Sequence, residues 1–325
     1  LGAVAIWLIA SVLSAALLAP WLCRGGYMLA EMSETRQLPG LVQWVAESSG
    51  RAKLTRYFDR SLLLAALVYL PFLIKRIRRL RAEDTSRTTP HEHRPDLRTG
   101  AWQLCAGFLM ASAFLAGLCL ALAMSGVYQA RPDVAGTGRF ISKVIVPAIF
   151  AASLEEWLFR GLLYGIWLRF VTPWAAVLGT ALMYSLLHFT HPPGGMEPAL
   201  ATHPAAGFLL LGGVIGHFSD PMFFVTDFAT LCLVGVLLGW ARMRTGALWL
   251  GIGLHAGWIL VIKACSFFYV QAPDHYLREW WIGGSLRSGM LPLLTLGLTG
   301  WMCVLWLRMH TARRQSTAQQ ADADH

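Results

Sequence analysis

Residues 144–168 read VIVPAIFAASLEEWLFRGLLYGIWL, a run whose charged side chains are Glu155, Glu156 and Arg160. The run is long enough for a helix to cross the ~30 Å hydrocarbon core of a bilayer. A carboxylate at the centre of a membrane helix costs about 2.5–3.5 kcal/mol on insertion scales, so a Glu pair there marks a functional site by default. Helix geometry separates the two glutamates: at about 100° per residue, Arg160 lies roughly 40° round from Glu156 but about 140° from Glu155. Glu156 and Arg160 are therefore expected to pair at i,i+4, with the acid on the N-terminal side, and to neutralise each other on one helix face. Glu155 is left on a neighbouring face, where its partner comes from another helix, water or a proton, each a route to acid–base chemistry. The plainer reading is an ion-paired packing element in a transporter-like bundle.

Two stretches further along weigh against that reading. Tyr184-Ser185-Leu186-Leu187-His188 closes the next apolar segment, and Gly251-Ile252-Gly253-Leu254-His255-Ala256-Gly257-Trp258 lies inside a later one. A single histidine in an apolar segment is ordinarily a satisfied core residue. Two of them in one chain with an intramembrane glutamate point to proton exchange, for which His is the most readily tuned side chain. His191 follows His188 by three residues, but His-x-x-His without an intervening Glu lacks the arrangement of zinc proteases, and the bland reading holds.

These three stretches resemble the CAAX protease and bacteriocin-processing (CPBP, or Abi) intramembrane proteases, which include the type II prenyl-protein endopeptidases. The family pattern is Glu-Glu-x-x-x-Arg, then Phe-x-x-x-His, then His-x-x-x-Asn or Asp. Here the first is Glu155-Glu156 to Arg160, the second Tyr184 to His188, and the third His255 to Ile259. Thr245-Gly246-Ala247-Leu248-Trp249 before His255 is also similar to the family, and the likeness covers roughly residues 140 to 262. Two positions depart. Tyr184 stands for the usual Phe and adds a hydroxyl able to bond a neighbour. Ile259 stands for the usual Asn, and the chain holds no Asn at all. The resemblance implies that this amide would help polarise the scissile carbonyl; losing one oxyanion donor typically lowers a rate about 100- to 1000-fold.

Composition sets the class around this core. Hydrophobic residues make up 56%, charged residues 14%, and mean hydropathy is +0.51, which is an integral membrane protein. Backbone groups in lipid must bond internally, so long apolar runs become helices and the fold is an all-α transmembrane bundle. Eight spans are expected: Leu1–Leu22, Ser61–Ile74, Ala101–Val127, Val144–Leu168, Pro173–His188, Met222–Trp240, Leu248–Ile262 and Gly289–Leu307. The first reads as a retained helix rather than a signal peptide because no basic segment precedes it. Gly25–Arg60 reads as an interfacial connection, with Leu38-Pro39-Gly40 as a turn, and Ala205–Phe218 as a short or re-entrant helix. Residues 1–100 form an N-terminal helical part with a basic loop, 101–307 the protease-like core with its motifs in 153–262, and 308–325 a polar tail.

Five of the seven residues Lys75 to Arg81 are basic, the positive-inside signal of a cytoplasmic loop. Anionic lipid accounts for the net charge of +9 without a nucleic-acid partner. Cys23, Cys105, Cys119, Cys232, Cys265 and Cys303 lack any Cys-x-x-Cys spacing and read as small apolar packing residues. Asp227 reads as a cap or interfacial residue, and Trp280-Trp281 as interfacial anchors. Gly161 with Gly165, and Gly253 with Gly257, form small-xxx-small pairs expected to bring the motif helices together.

The resemblance implies an intramembrane endopeptidase in the bacterial inner membrane, acting on a peptide or membrane-protein substrate. Glu155 and His188 would hold and deprotonate a water, His255 would donate to the oxyanion, and Glu156, Arg160 and Tyr184 would support them. The expected chemistry needs no cofactor. Its alternative is Zn²⁺ held by Glu155, His188 and His255 with an open position for water. Two non-protease classes stay open: a non-catalytic immunity or regulatory protein of the same fold, which Ile259 favours, and a proton-coupled transporter, which the absence of an inverted hydropathy repeat disfavours.

Overall fold

The computed structural model describes residues 2–36, 39–83, 96–134, 136–189, 198–277 and 280–323. His191, Leu38 and most of the Thr190–Pro204 connection lie outside them. Seven helices among the described residues are long and apolar enough to cross a membrane: Ala5–Thr35, Leu54–Arg76, Leu97–Met124, Thr137–Trp167, Pro221–Thr245, Trp249–Phe268 and Met290–His310. The eighth expected span, Pro173–His188, forms a helix of 16 residues. At 1.5 Å per residue that is about 24 Å, shorter than the hydrocarbon core.

The chain divides into two compact units, residues 1–90 with 187–220, and 91–186 with 221–325. Residues 187–220, drawn within the 101–307 core on sequence grounds, thus cluster with the N-terminal helices. In that first unit α1 (Gly2–Thr35) packs on α2 (Gly40–Gly50) and α3 (Leu54–Glu83). Its core is Ala15, Ala16, Ala19 and Cys23 of α1 against Leu54, Tyr57 and Phe58 of α3. The connection expected over Gly25–Arg60 is therefore largely helical. Apolar runs mark the lipid-embedded part of a helix, whereas its ends are set by backbone hydrogen bonding, which Arg24, Glu31 and Glu34 do not interrupt.

The second unit carries the motifs. Its helices are α4 (Leu97–Met124), α5 (Thr137–Trp167), α6 (Pro173–His188), α8 (Pro221–Thr245), α9 (Trp249–Phe268) and α10 (Met290–Ala323); α7 (Ala206–His217), the short helix expected from the sequence, belongs to the first unit. A two-stranded antiparallel ribbon, β1 (Tyr128–Ala130) with β2 (Tyr269–Gln271), joins the ends of α4 and α9 in the register Tyr128 to Gln271. Burial pushes the Tyr128 phenol well above its ordinary pKa. The long α5 is not uniform. Its turns widen over Ile141–Ile145, directly before Pro147, and again over Trp157–Leu163. Proline removes a donor and crowds the preceding turn, which the first widening relieves. The second falls on Arg160, and such wide turns are frequent at functional sites.

The glycines work differently from the sequence expectation. A Cβ at Gly107 would stand 2.6 Å from the Leu250 carbonyl oxygen, one at Gly257 would stand 2.7 Å from that of Phe108, and one at Gly253 would overlap that of Leu104. Gly253 and Gly257 therefore seat α9 on α4, not on the motif helix α5. Gly165 has nothing within 4 Å of such a Cβ, and Gly161 only ordinary contacts, the nearest at 3.5 Å. A four-residue spacing of small residues permits close approach but does not name the neighbour. Gly253→Ala is expected to destabilise the protein by about 1–3 kcal/mol through overpacking. Gly117→Ala, where a Cβ meets open space, should leave thermal unfolding in detergent unchanged or slightly raised.

Candidate functional site

Four helices of the second unit position the site. α5 supplies Glu155, Glu156 and Arg160; α6 supplies Tyr184; α9 supplies His255; and α8 contributes a backbone carbonyl at Gly235. The phase of α9 is set by a tight connection. α8 ends on Gly246 in the left-handed conformation, φ 67°, with its N–H donating to the Arg242 carbonyl. The Thr245 hydroxyl donates to the Ala241 carbonyl and accepts from the Ala247 N–H. The Thr-Gly of the sequence is thus a helix stop that launches α9 with His255 facing α5.

The expected ion pair is formed. Arg160 Nη1 donates to Glu156 Oε1 at 2.9 Å, and Nη2 donates to the Gly235 carbonyl at 3.1 Å. The guanidinium lies over the Tyr184 ring, 4.8 Å from its centroid, a contact strengthened where water is excluded. Both side chains are sealed, at 0% and 1% exposure. Glu156 Oε2 has no hydrogen-bond partner among the described residues and faces Gly251, where a Cβ would approach to 3.0 Å. Gly251 stands one turn before His255 and makes room for the carboxylate. Neither Gly251 nor Gly235 was legible as a site residue, although the four-residue spacing from Gly251 to His255 was a usable signal.

His255 joins the two glutamates. Its Nδ1 lies 3.2 Å from Glu156 Oε1; its Nε2 lies 3.3 Å from the Tyr184 hydroxyl and 3.7 Å from Glu155 Oε2. Glu155 thus meets a residue of another helix, one of the routes its helix face left open. Its side chain is 28% exposed, whereas that of His255 is 5% exposed. The Tyr184 hydroxyl is also in hydrogen-bonding reach of Glu155. With Nδ1–H directed at Glu156, the ring is fixed in orientation and Nε2 is turned to Tyr184 and Glu155, where it accepts a proton or, carrying one, donates. The carboxylate beside Arg160 is sealed, and the outer carboxylate next to Nε2 is the partly open one.

Of the residues singled out in the sequence, Glu155, Glu156, Arg160, Tyr184 and His255 are gathered here. His188 ends α6 one turn beyond Tyr184, half-buried, and is grouped with the first unit. Asp227 lies inside the widened turn Phe224–Phe228 of α8 and accepts a hydrogen bond from the Thr226 hydroxyl at 2.8 Å, where the sequence suggests a cap or interfacial residue. Among the described residues no three His, Cys, Asp or Glu side chains are arranged to hold a metal ion.

Residues 137–261 match the family described as Type II CAAX prenyl endopeptidase Rce1-like. The matched segment is shorter than half of the 325-residue chain and contains Glu155, Glu156, Arg160, Tyr184, His188 and His255. No curated protein and no solved structure matches the chain significantly.

Proposed function

We propose that this integral, multi-pass membrane protein, whose residues 137–261 match the Type II CAAX prenyl endopeptidase Rce1-like family, is an intramembrane endopeptidase of the CAAX protease and bacteriocin-processing group. The chain hydrolyses a peptide or membrane-protein substrate, with Glu155 as the general base. The observation that carries this reading is the asymmetry of the two glutamates: Glu156 is sealed against Arg160, while Glu155 is the partly open carboxylate beside His255 Nε2.

Glu155 takes a proton from water as its oxygen attacks the scissile carbonyl, and returns that proton to the leaving amine when the tetrahedral intermediate collapses. His255 Nε2–H and the Tyr184 hydroxyl donate to the oxyanion. Glu156 holds His255 from behind, and Arg160 neutralises Glu156. The reading is metal-free, and a bacterial inner membrane is its proposed setting.

The Tyr184 hydroxyl takes up the work for which the family uses an Asn, the position of Ile259. Tyr184→Phe, which installs the usual family residue, is expected to lower turnover about 100- to 1000-fold with unfolding temperature little changed. Adding Ile259→Asn to that variant should recover activity. Both are read as initial rates of peptide cleavage.

The test is cleavage of a broad library of quenched fluorescent peptides by detergent-purified protein, with and without a chelator. Cleavage that survives the chelator supports glutamate catalysis. Loss of cleavage with chelator, restored by Zn²⁺, supports the metal alternative. Absence of Asn at position 259 favours the non-catalytic reading, and a wild type inert across the library would select it.

A further inference from the structure

Outside the site, two sulfurs meet. Cys119 lies in the last two turns of α4 and Cys265 in the last turn of α9, both buried, with Cys119 Sγ donating to Cys265 Sγ at 2.7 Å. That separation is well inside the ~3.5–4.0 Å at which non-bonded carbon atoms rest in contact, and sulfur is the larger atom. Two buried thiols pressed together in this way gain nothing as packing residues, the reading their scattered positions suggested.

The surroundings hold the two helix ends in place. The Arg131 N–H donates to the Phe268 carbonyl at 2.8 Å and the Ala272 N–H to that of Val127 at 2.9 Å, extending the β1–β2 pairing on either side. The Arg131 side chain adds a hydrogen bond from Nε to the Ser266 carbonyl at 3.1 Å. The opposite ends of the same helices meet where Gly100 faces Trp249. In the chain, α4 follows the basic stretch Lys75 to Arg81, and Arg242 and Arg244 flank the turn into α9. The positive-inside rule assigns that end to the cytoplasm. The sulfur pair is then at the far end, on the side of the membrane where disulfides form and persist.

We propose that Cys119 and Cys265 form a disulfide that staples the end of α4 to the end of α9. The oxidant is a disulfide-bearing partner, a thiol oxidoreductase or a small-molecule disulfide. One thiolate attacks a sulfur of the oxidant and expels a thiol. The second thiolate then attacks the mixed disulfide and expels the other. Two thiols lose two protons and two electrons, and the oxidant leaves as two thiols. Exchange takes place as the helix ends dock, before the sulfurs are buried. The staple closes a loop spanning 146 positions, the long-loop case in which a cross-link restricts the unfolded chain most. It fixes one end of the helix that carries His255, whatever reaction that residue serves.

The test begins with wild-type protein purified without reductant, then alkylated under denaturing conditions and mapped without reduction. The expected result is a peptide linking Cys119 to Cys265, with all but two of the six cysteines alkylated. Reductant should lower the unfolding temperature of the wild type and leave that of Cys119→Ser unmoved. Six alkylated cysteines in wild-type protein purified without reductant would overturn the proposal, as would a link between any other pair. The mapping uses the unaltered chain, so it reads the pairing even where Cys119→Ser does not fold.

Discussion

Glu155→Gln is expected to reduce peptide cleavage by about 10²- to 10⁴-fold, the range removed with a general base, while the protein folds and unfolds as the wild type does. Gln keeps the shape and one acceptor of the side chain. Glu155 is 28% exposed, so its neutralisation strands no sealed charge. What the amide cannot do is take a proton from water. Rates on a cleaved peptide, together with thermal unfolding of the same preparations, check both halves. A variant retaining near wild-type turnover would remove Glu155 from the chemistry, and the site would lose the partly open carboxylate on which it is built.

Arg160→Leu has the opposite signature, a structural loss that precedes any catalytic one. It leaves Glu156 with its side chain 1% exposed and without the guanidinium 2.9 Å away. Removing one member of a buried pair typically costs about 3–5 kcal/mol, because the remaining charge is uncompensated. The Gly235 carbonyl and the Tyr184 ring lose their partner as well. The expected outcome is a sharp fall in yield of monodisperse protein and in unfolding temperature. Glu156→Gln combined with Arg160→Leu removes both charges and should recover much of the stability. Full recovery of the fold without recovery of cleavage would show that Glu156 also acts through His255.

The parts of this site legible in the sequence were those set by local geometry. Four residues separate Glu156 from Arg160, and a helix turns that spacing into contact. The contact between Glu156 and His255 joins residues 99 positions apart, and no periodicity in either stretch encodes it. The motif resemblance supplied the partners; the structure supplied the order, with Glu156 behind His255 and Glu155 in front. Hydropathy located the spans but not their ends: α1 runs on to Thr35 because polar residues interrupt an apolar run without breaking a helix. It also marked out Pro173–His188, which forms a helix of 16 residues. The glycines showed that helices approach closely. That Gly253 seats α9 on α4, and that Gly251 makes room for a carboxylate, depended on tertiary placement. The meeting of Cys119 and Cys265 had no sequence signal for the same reason.

Hydrolysis by a water that Glu155 activates leaves the oxygen of that water in the product, and isotope incorporation detects it. Protein reconstituted in liposomes with a membrane-embedded peptide library would be incubated in heavy-oxygen water with a chelator present, and the fragments analysed by mass spectrometry. The expected result is new C-terminal carboxylates carrying one heavy oxygen atom with the wild type, and no such fragments with Glu155→Gln. Wild-type protein that yields no fragments, or fragments equally abundant with Glu155→Gln, would be incompatible with Glu155 as the base.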